Sequence, residues 1–150
     1  MSYLAILIFI VALCASYLLG YTPLFTSVIY VVLSLVTFLA YAKDKSAAQN
    51  GTWRVSEGTL HTLSLFSGWP GAIIAQQLFR HKTKKTSFRI PFWITVVVNC
   101  GALVWLHTNR GAIYLNTYTF KFEELIINEM GSSIARTILL NLLGFHAEIR

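Results

Sequence analysis

The densest group of chemically capable side chains in this sequence lies in a basic strip, residues 80–89. Four consecutive residues from Arg80 to Thr83 supply a guanidinium fork, an imidazole, an ammonium and a hydroxyl. Guanidinium and ammonium groups bind phosphate and carboxylate through charge-assisted hydrogen bonds. The strip therefore predicts an anion-binding site. The residues predicted to form it are Arg80, His81, Lys82, Lys84 and Lys85, joined by Lys45 and Arg54 from an earlier charged strip, residues 43–57.

The same cations have a second interpretation, in which they only orient a membrane protein. Lys and Arg beside a spanning helix favour the cytoplasmic side and rest on anionic headgroups, at roughly 1 kcal/mol for each residue. The sequence leaves both interpretations open. Under the first, the ligand is an anionic lipid headgroup or another phosphorylated molecule, bound at the cytoplasmic face without catalysis.

Acid–base chemistry is the alternative function, and it would use two histidines and two carboxylates. The candidate catalytic residues are His81, His61, Glu57 and Asp44. They could act together on a lipid or phosphorylated substrate if both strips lie on one face of the membrane. Structural roles compete with this hypothesis, because carboxylates near a membrane commonly pair with cations and Glu57 follows a helix-capping serine. We therefore expect binding rather than catalysis.

The sequence predicts neither a metal site nor a cofactor site. The spacing of His61 and His81 is not that of zinc ligands. Cys14 and Cys100 lie in separate apolar runs, where we expect small buried residues. The net charge of +6 would suit nucleic acid, but the excess is confined to a loop flanking the membrane, which argues against that partner.

The elements that must position these residues are too apolar for an ordinary soluble domain. Hydrophobic residues make up 55% of the chain and charged residues 12%, and no charge occurs before Lys43. We predict an all-α integral membrane protein with about three transmembrane helices and with membrane lipids as partners. The first run is interpreted as a retained helix rather than a signal peptide, because no Lys or Arg precedes it.

Three runs are predicted to span the membrane, and they define the domain organisation. Residues 3–19 and 24–42 form an N-terminal hairpin (domain 1–42), joined by a turn at residues 20–23. Residues 90–107 are the last span and close a central domain, 43–107. Residues 108–150 form a C-terminal tail, predicted to be periplasmic because its acidic and basic residues balance.

The middle element, residues 58–79, is apolar but broken at Gly68-Trp69-Pro70-Gly71. Each half would be about 15 Å long, which is half the hydrocarbon thickness. Charge placement favours a re-entrant hairpin over a kinked crossing, since a crossing would leave the cations of residues 43–57 on the opposite side from the basic strip. A single crossing with Pro70 tolerated by neighbouring helices is the alternative.

The C-terminal tail is predicted to contain both extended and helical segments. Residues 112–122 alternate enough to suggest an extended segment or a hairpin. A short helix is predicted over residues 122–130 and a second apolar helix over 134–145, separated by Gly131-Ser132-Ser133. A scaffold subunit whose tail binds another membrane protein is the third functional hypothesis, and the sequence leaves the oligomeric state open.

Four sequence blocks occur in the order of a known family pattern over about a third of the chain. They are Tyr41-x-x-Asp44-Lys45, Trp53-Arg54-x-x-Glu57, the Gly-rich apolar run, and Arg80-His81-Lys82-Thr83-x-Lys85 with Phe88. The chain resembles the bacterial membrane family catalogued as domain of unknown function 1294. It departs from the pattern at Ser56, usually Pro, and at Ser67, usually Gly. The resemblance implies a bacterial inner-membrane protein and supplies no activity.

Overall fold

The computed structural model describes residues 2–79, 86–129 and 134–144. The helices are α1 (Ser2–Leu18), α2 (Leu24–Asn50), α3 (Glu57–Leu63), α4 (Trp69–Leu78), α5 (Thr86–Leu106), α6 (Asn109–Glu129) and α7 (Ile134–Leu143), with a π-helical turn, Ser64–Gly68, between α3 and α4. The described ranges contain no strand, so the all-α prediction is confirmed. They divide into two compact units: residues up to Leu7 with Ile29–Gly101, and Ile8–Val28 with the residues from Ala102 onward.

The turn predicted at residues 20–23 is present and ends α1. Gly20 has φ of 71°, a left-handed conformation that glycine adopts without steric cost. The Ser16 and Thr22 hydroxyls are hydrogen-bonded at 2.7 Å, and the Tyr21 N–H donates to the Ser16 carbonyl at 2.9 Å. These bonds satisfy polar groups at the end of an otherwise apolar helix.

Two helices, α2 and α5, are long and apolar enough to cross a membrane. The apolar helix α1 has 17 residues, or about 26 Å at 1.5 Å per residue, slightly less than the roughly 30 Å of hydrocarbon. The fold thus supplies two candidate spanning helices, where the sequence predicted about three. The last span also begins earlier than predicted, at Thr86, so that Pro91 lies inside α5.

Helix α2 continues through the first part of the charged strip, past its predicted end at residue 42. It ends at Asn50, and the next residue, Gly51, has φ of 66°. Tyr41, Asp44 and Ala47 are buried at a helical spacing of three residues. One face of the charged strip is therefore part of the packed core.

The predicted break in the middle element is confirmed, although it lies just before the Gly-Trp-Pro-Gly run. Phe66 has ψ of 56° and Ser67 has φ of 67°, both outside the helical region. Gly68 then precedes α4, and Pro70 occupies the first turn of α4, where its missing N–H costs nothing. The left-handed conformation of Ser67 is one in which glycine is usually found.

The two halves of the middle element form a helical hairpin that returns to the end of α2 where it began. At the open end, His61 of α3 stacks on Phe88, and Gln76 of α4 bonds Tyr41. At the closed end, the Ser64 and Leu65 carbonyls accept from Asn99 of α5. The longer arm of the hairpin, α4, has 10 residues, or about 15 Å at 1.5 Å per residue.

The extended segment predicted over residues 112–122 is wrong, since α6 runs without interruption from Asn109 to Glu129. Alternating aromatic residues at positions 118, 120 and 122 imitate a strand, but all three side chains are exposed. Thr117 and Thr119 instead donate to the carbonyls four residues earlier, at 2.8 Å each. Helix α7 confirms the second predicted helix within the described residues, and Gly131-Ser132-Ser133 lies outside them.

The expectation that both cysteines are buried is wrong for Cys14, which is exposed on α1. Cys100 is half-buried, and both thiols are free. An apolar run of residues predicts apolar surroundings for a cysteine within it. The run does not predict whether those surroundings are other residues of the protein.

Candidate functional site

The polar core of the first unit is a group that we call the Tyr41 cluster: Tyr41, His61, Ser64, Gln76 and Phe88. Gln76 Nε2 donates to the Tyr41 hydroxyl oxygen at 3.3 Å, and the Ser64 hydroxyl interacts with the same oxygen. The ring centroids of Phe88 and Tyr41 are 6.2 Å apart, in an edge-on arrangement. The ring centroids of Phe88 and His61 are 4.3 Å apart. The cluster joins α2, α3, α4, α5 and the π-helical turn.

One turn beyond Tyr41, a carboxylate on α2 meets a cation on the following loop. Asp44 is fully buried and Arg54 is 52% exposed, and Arg54 Nε lies 3.5 Å from Asp44 Oδ1. A buried carboxylate needs such a partner, because desolvation otherwise penalises its charged form. The pair fixes the loop after Gly51 against the end of α2.

Helix α3 begins with the predicted cap. The Thr59 N–H donates to Ser56 Oγ at 3.0 Å, and Glu57 lies in the first turn, where a carboxylate interacts favourably with the helix dipole. The Ser56 and Thr59 hydroxyls are also hydrogen-bonded to each other, at 2.8 Å. The cap therefore orders the segment that follows Arg54.

An open cleft of about 580 Å³ lies where the end of α2 meets this loop. Its lining residues are Lys43, Thr52, Trp53, Arg54, Val55, Ser56 and Thr59. The lining includes two cationic side chains and three hydroxyl groups, all of which can donate hydrogen bonds. Trp53 lies beside them and is 94% exposed. Cationic and hydroxyl donors suit a phosphate or carboxylate, and an exposed indole suits the headgroup region of a membrane.

The structure places the predicted anion-binding residues unevenly. Arg54 lines the cleft, whereas Lys45 is half-buried and does not line it. Arg80, His81, Lys82, Lys84 and Lys85 lie outside the described residues. The sequence did not single out Lys43 or Trp53 as site residues, although both belong to the charged strip, residues 43–57. Their approach depends on the Gly51 turn, which folds the loop back onto α2.

The catalytic candidates that the structure describes all have structural contacts. Asp44 pairs with Arg54, Glu57 occupies the capped first turn of α3, and His61 stacks on Phe88. The fourth candidate, His81, lies outside the described residues. These contacts bring Asp44 and His61 into one unit, but they give each side chain a role in holding the hairpin.

Asn99 forms a second polar group, at the closed end of the hairpin. Its Nδ2 donates to the Leu65 carbonyl at 2.9 Å, the Thr95 carbonyl at 2.8 Å and the Ser64 carbonyl at 3.4 Å. Its Oδ1 accepts from the Tyr30 hydroxyl at 3.1 Å. Asn99 thus donates to two carbonyls beside the point at which the chain leaves helical geometry, at Phe66.

Comparison with known proteins matches the segment that builds this site. The profile of the family described as "Protein of unknown function (DUF1294)" matches residues 34–88, which extend from the α2 segment beside the hairpin to Phe88. The uncharacterized protein YsdA of Bacillus subtilis (strain 168) is 35% identical over 68 residues, covering 45% of this chain and 76% of YsdA. No solved structure matches the chain. On the strength of these matches, the chain belongs to the DUF1294 family.

Proposed function

We propose that this chain is a multi-pass protein of the bacterial inner membrane that binds an anionic lipid headgroup or another phosphorylated ligand at its basic cytoplasmic end. The proposed site combines the cleft residues Lys43 and Arg54 with Lys45 and with five residues of the basic strip: Arg80, His81, Lys82, Lys84 and Lys85. The observation that carries the proposal is the cleft, which presents cations, hydroxyls and an exposed indole on one surface. Helices α1, α2 and α5 would span the membrane.

The exposure of apolar side chains supports the membrane location. Only 11% of the most apolar stretch of α2 and 28% of that of α5 is buried. The core helix of a soluble protein would be mostly buried, whereas Val31, Leu35 and Leu39 of α2 all lie on the surface. Hydrocarbon is the environment in which such a surface costs no free energy.

The hairpin geometry supports a re-entrant topology. Phe79, just before the basic strip, packs on Phe38 of α2, and Phe88, near the end of the strip, packs on Tyr41 of the same helix. The longer arm, α4, is about 15 Å long, which is about half of the roughly 30 Å of hydrocarbon. Both charged strips would then belong to one face.

Labelling of single cysteines tests this topology. In a background with Cys14 and Cys100 replaced by serine, we expect Ser46→Cys and Ser87→Cys both to resist a membrane-impermeant thiol reagent in intact cells. Permeabilised cells should label both positions, and Ser132→Cys in the tail should label in intact cells. Labelling of residue 46 but not residue 87 would mean that the middle element crosses the membrane, and would separate the two strips.

Removing a cleft cation should weaken anion binding by about tenfold, the value of one charge-assisted hydrogen bond of about 1.5 kcal/mol. Full-length protein in phosphatidylcholine nanodiscs would be titrated with glycerol phosphate, or prepared with increasing phosphatidylglycerol, while Trp53 fluorescence is recorded. A Trp53→Phe variant identifies the Trp53 signal. The two titrations separate a free phosphorylated ligand from a lipid headgroup.

Lys43→Gln is the more informative cleft variant, because Arg54→Gln also removes the partner of buried Asp44. Arg54→Lys keeps the charge and should retain most of the binding. Lys121→Gln removes an exposed cation of α6, outside the cleft, and should change nothing. A Trp53 response that is absent in both titrations, or unchanged in Lys43→Gln and Arg54→Gln alike, would overturn the proposal.

A further inference from the structure

A groove of about 520 Å³ runs along one exposed face of α5, apart from the residues that line the cleft. We call it the α5 groove, and its lining residues are Thr86, Arg89, Ile90, Trp93, Ile94, Val97 and Val98. They recur at the three- and four-residue spacing of one helical face. The chemistry of these residues also changes along the groove. The two polar side chains, Thr86 and Arg89, come first, Trp93 follows one turn later, and every lining residue after Trp93 is aliphatic.

This order matches the cross-section of one membrane leaflet. Nine residues separate Arg89 from Val98, a distance of about 14 Å along the helix, and one leaflet of hydrocarbon is about 15 Å thick. Trp93 lies one turn from Arg89, as expected for an indole near the headgroup boundary. Among the residues that the structure describes, no carboxylate pairs with Arg89, so its charge is available to a ligand.

We propose that the α5 groove binds one anionic phospholipid, with the lipid phosphate at Thr86 and Arg89 and an acyl chain along Trp93, Ile94 and Val97. The inference rests on the proposed membrane location and is independent of the cleft. Charge complementarity selects this occupant, because a guanidinium attracts an anionic headgroup while the aliphatic end of the groove accepts only a chain without polar groups. A second copy of this chain would instead place a like charge opposite Arg89 in a symmetric contact.

The test measures quenching of Trp93 fluorescence by lipids brominated on their acyl chains. Full-length protein would be placed in phosphatidylcholine nanodiscs with increasing amounts of brominated phosphatidylglycerol or brominated phosphatidylcholine. Subtracting the signal of a Trp93→Phe variant isolates the contribution of Trp93. We expect half-maximal quenching at about a fivefold lower fraction of the anionic lipid, the equivalent of about 1 kcal/mol for one cation at the membrane surface.

Arg89→Gln should abolish this preference and leave quenching by phosphatidylcholine unchanged. Arg110→Gln, which removes an exposed guanidinium of α6 outside the groove, should retain the preference. Equal quenching curves for the two lipids, or a preference that survives Arg89→Gln, would overturn the proposal. Absent Trp93 quenching with a dimeric mass in detergent would assign the groove to a second copy.

The same samples separate this inference from the proposed function. Arg89→Gln should not change the Trp53 response to anions, and Lys43→Gln should not change the quenching of Trp93. If only the Trp53 response fails, the cleft proposal is wrong and the α5 groove stands. If only the lipid preference fails, the α5 groove proposal is wrong and the cleft proposal stands.

Discussion

Replacing Gly71 with alanine is expected to lower the free energy of unfolding of the full chain by about 3 kcal/mol, the upper part of the range for overpacked sites. A Cβ atom at Gly71 would collide with the backbone carbonyl of Ser34 on α2. Backbone atoms of a packed helix cannot move aside as a flexible side chain can. The helix α4 would therefore have to separate from α2, and the hairpin would lose its closest contact with that helix.

Gly101→Ala is the matched control, because Gly101 also lies in an apolar helix but a Cβ there meets nothing within 4 Å. Alanine should leave stability unchanged or raise it by up to about 1 kcal/mol through helix propensity. Unfolding by SDS in mixed micelles, followed by circular dichroism, would measure both variants. A Gly71→Ala protein as stable as Gly101→Ala would contradict the close approach of α4 to α2.

Local rules predicted the parts of the fold that depend on one or two residues. The cap at Ser56 and the break before Pro70 each follow from backbone preferences that act within a few residues. Ser67 adds a further case, since its left-handed conformation suits the glycine that is usual in the family pattern. These features position the hairpin, and all were available from the sequence.

The helical periodicity of two segments, the end of α2 and α6, was harder to recognise in the sequence. The buried spacing of Tyr41, Asp44 and Ala47 was present in the sequence, but the surrounding charges suggested a loop. In α6, alternation of exposed aromatic residues suggested a strand, because periods of two and 3.6 overlap over a short stretch. Both errors arose where exposed residues, rather than the buried face, dominated the pattern.

The chemistry of the candidate site was predictable from the sequence, but the set of residues that form it was not. Cations of the two strips indicated anion binding, and the structure places Arg54 in the cleft while Lys45 stays outside it. Lys43 and Trp53 join the cleft because α2 continues to Asn50 and the chain then reverses at Gly51. That juxtaposition depends on the exact end of a helix, which sequence patterns locate only to within a few residues.

Asn99 is the residue on which the closed end of the hairpin depends most. Its amide donates to the Ser64 and Leu65 carbonyls beside the break, and Tyr30 fixes its orientation from α2. One side chain thus connects α2, the π-helical turn and α5. A leucine at this position has a similar size but provides neither the donors nor the acceptor.

Asn99→Leu is therefore expected to destabilise the full chain by about 2 kcal/mol, since hydrogen bonds between membrane helices average about 0.6 kcal/mol and three of the four bonds of Asn99 reach outside α5. Tyr30→Phe removes one of the four and should cost about 0.6 kcal/mol. Thr95→Val, one turn away on the same helix, removes only a bond to the Phe92 carbonyl and should change stability by less than about 0.5 kcal/mol. SDS unfolding of the three variants would rank them. If Asn99→Leu were no less stable than Thr95→Val, the closed end would be held by packing alone, and the assignment of Asn99 as its donor would be wrong.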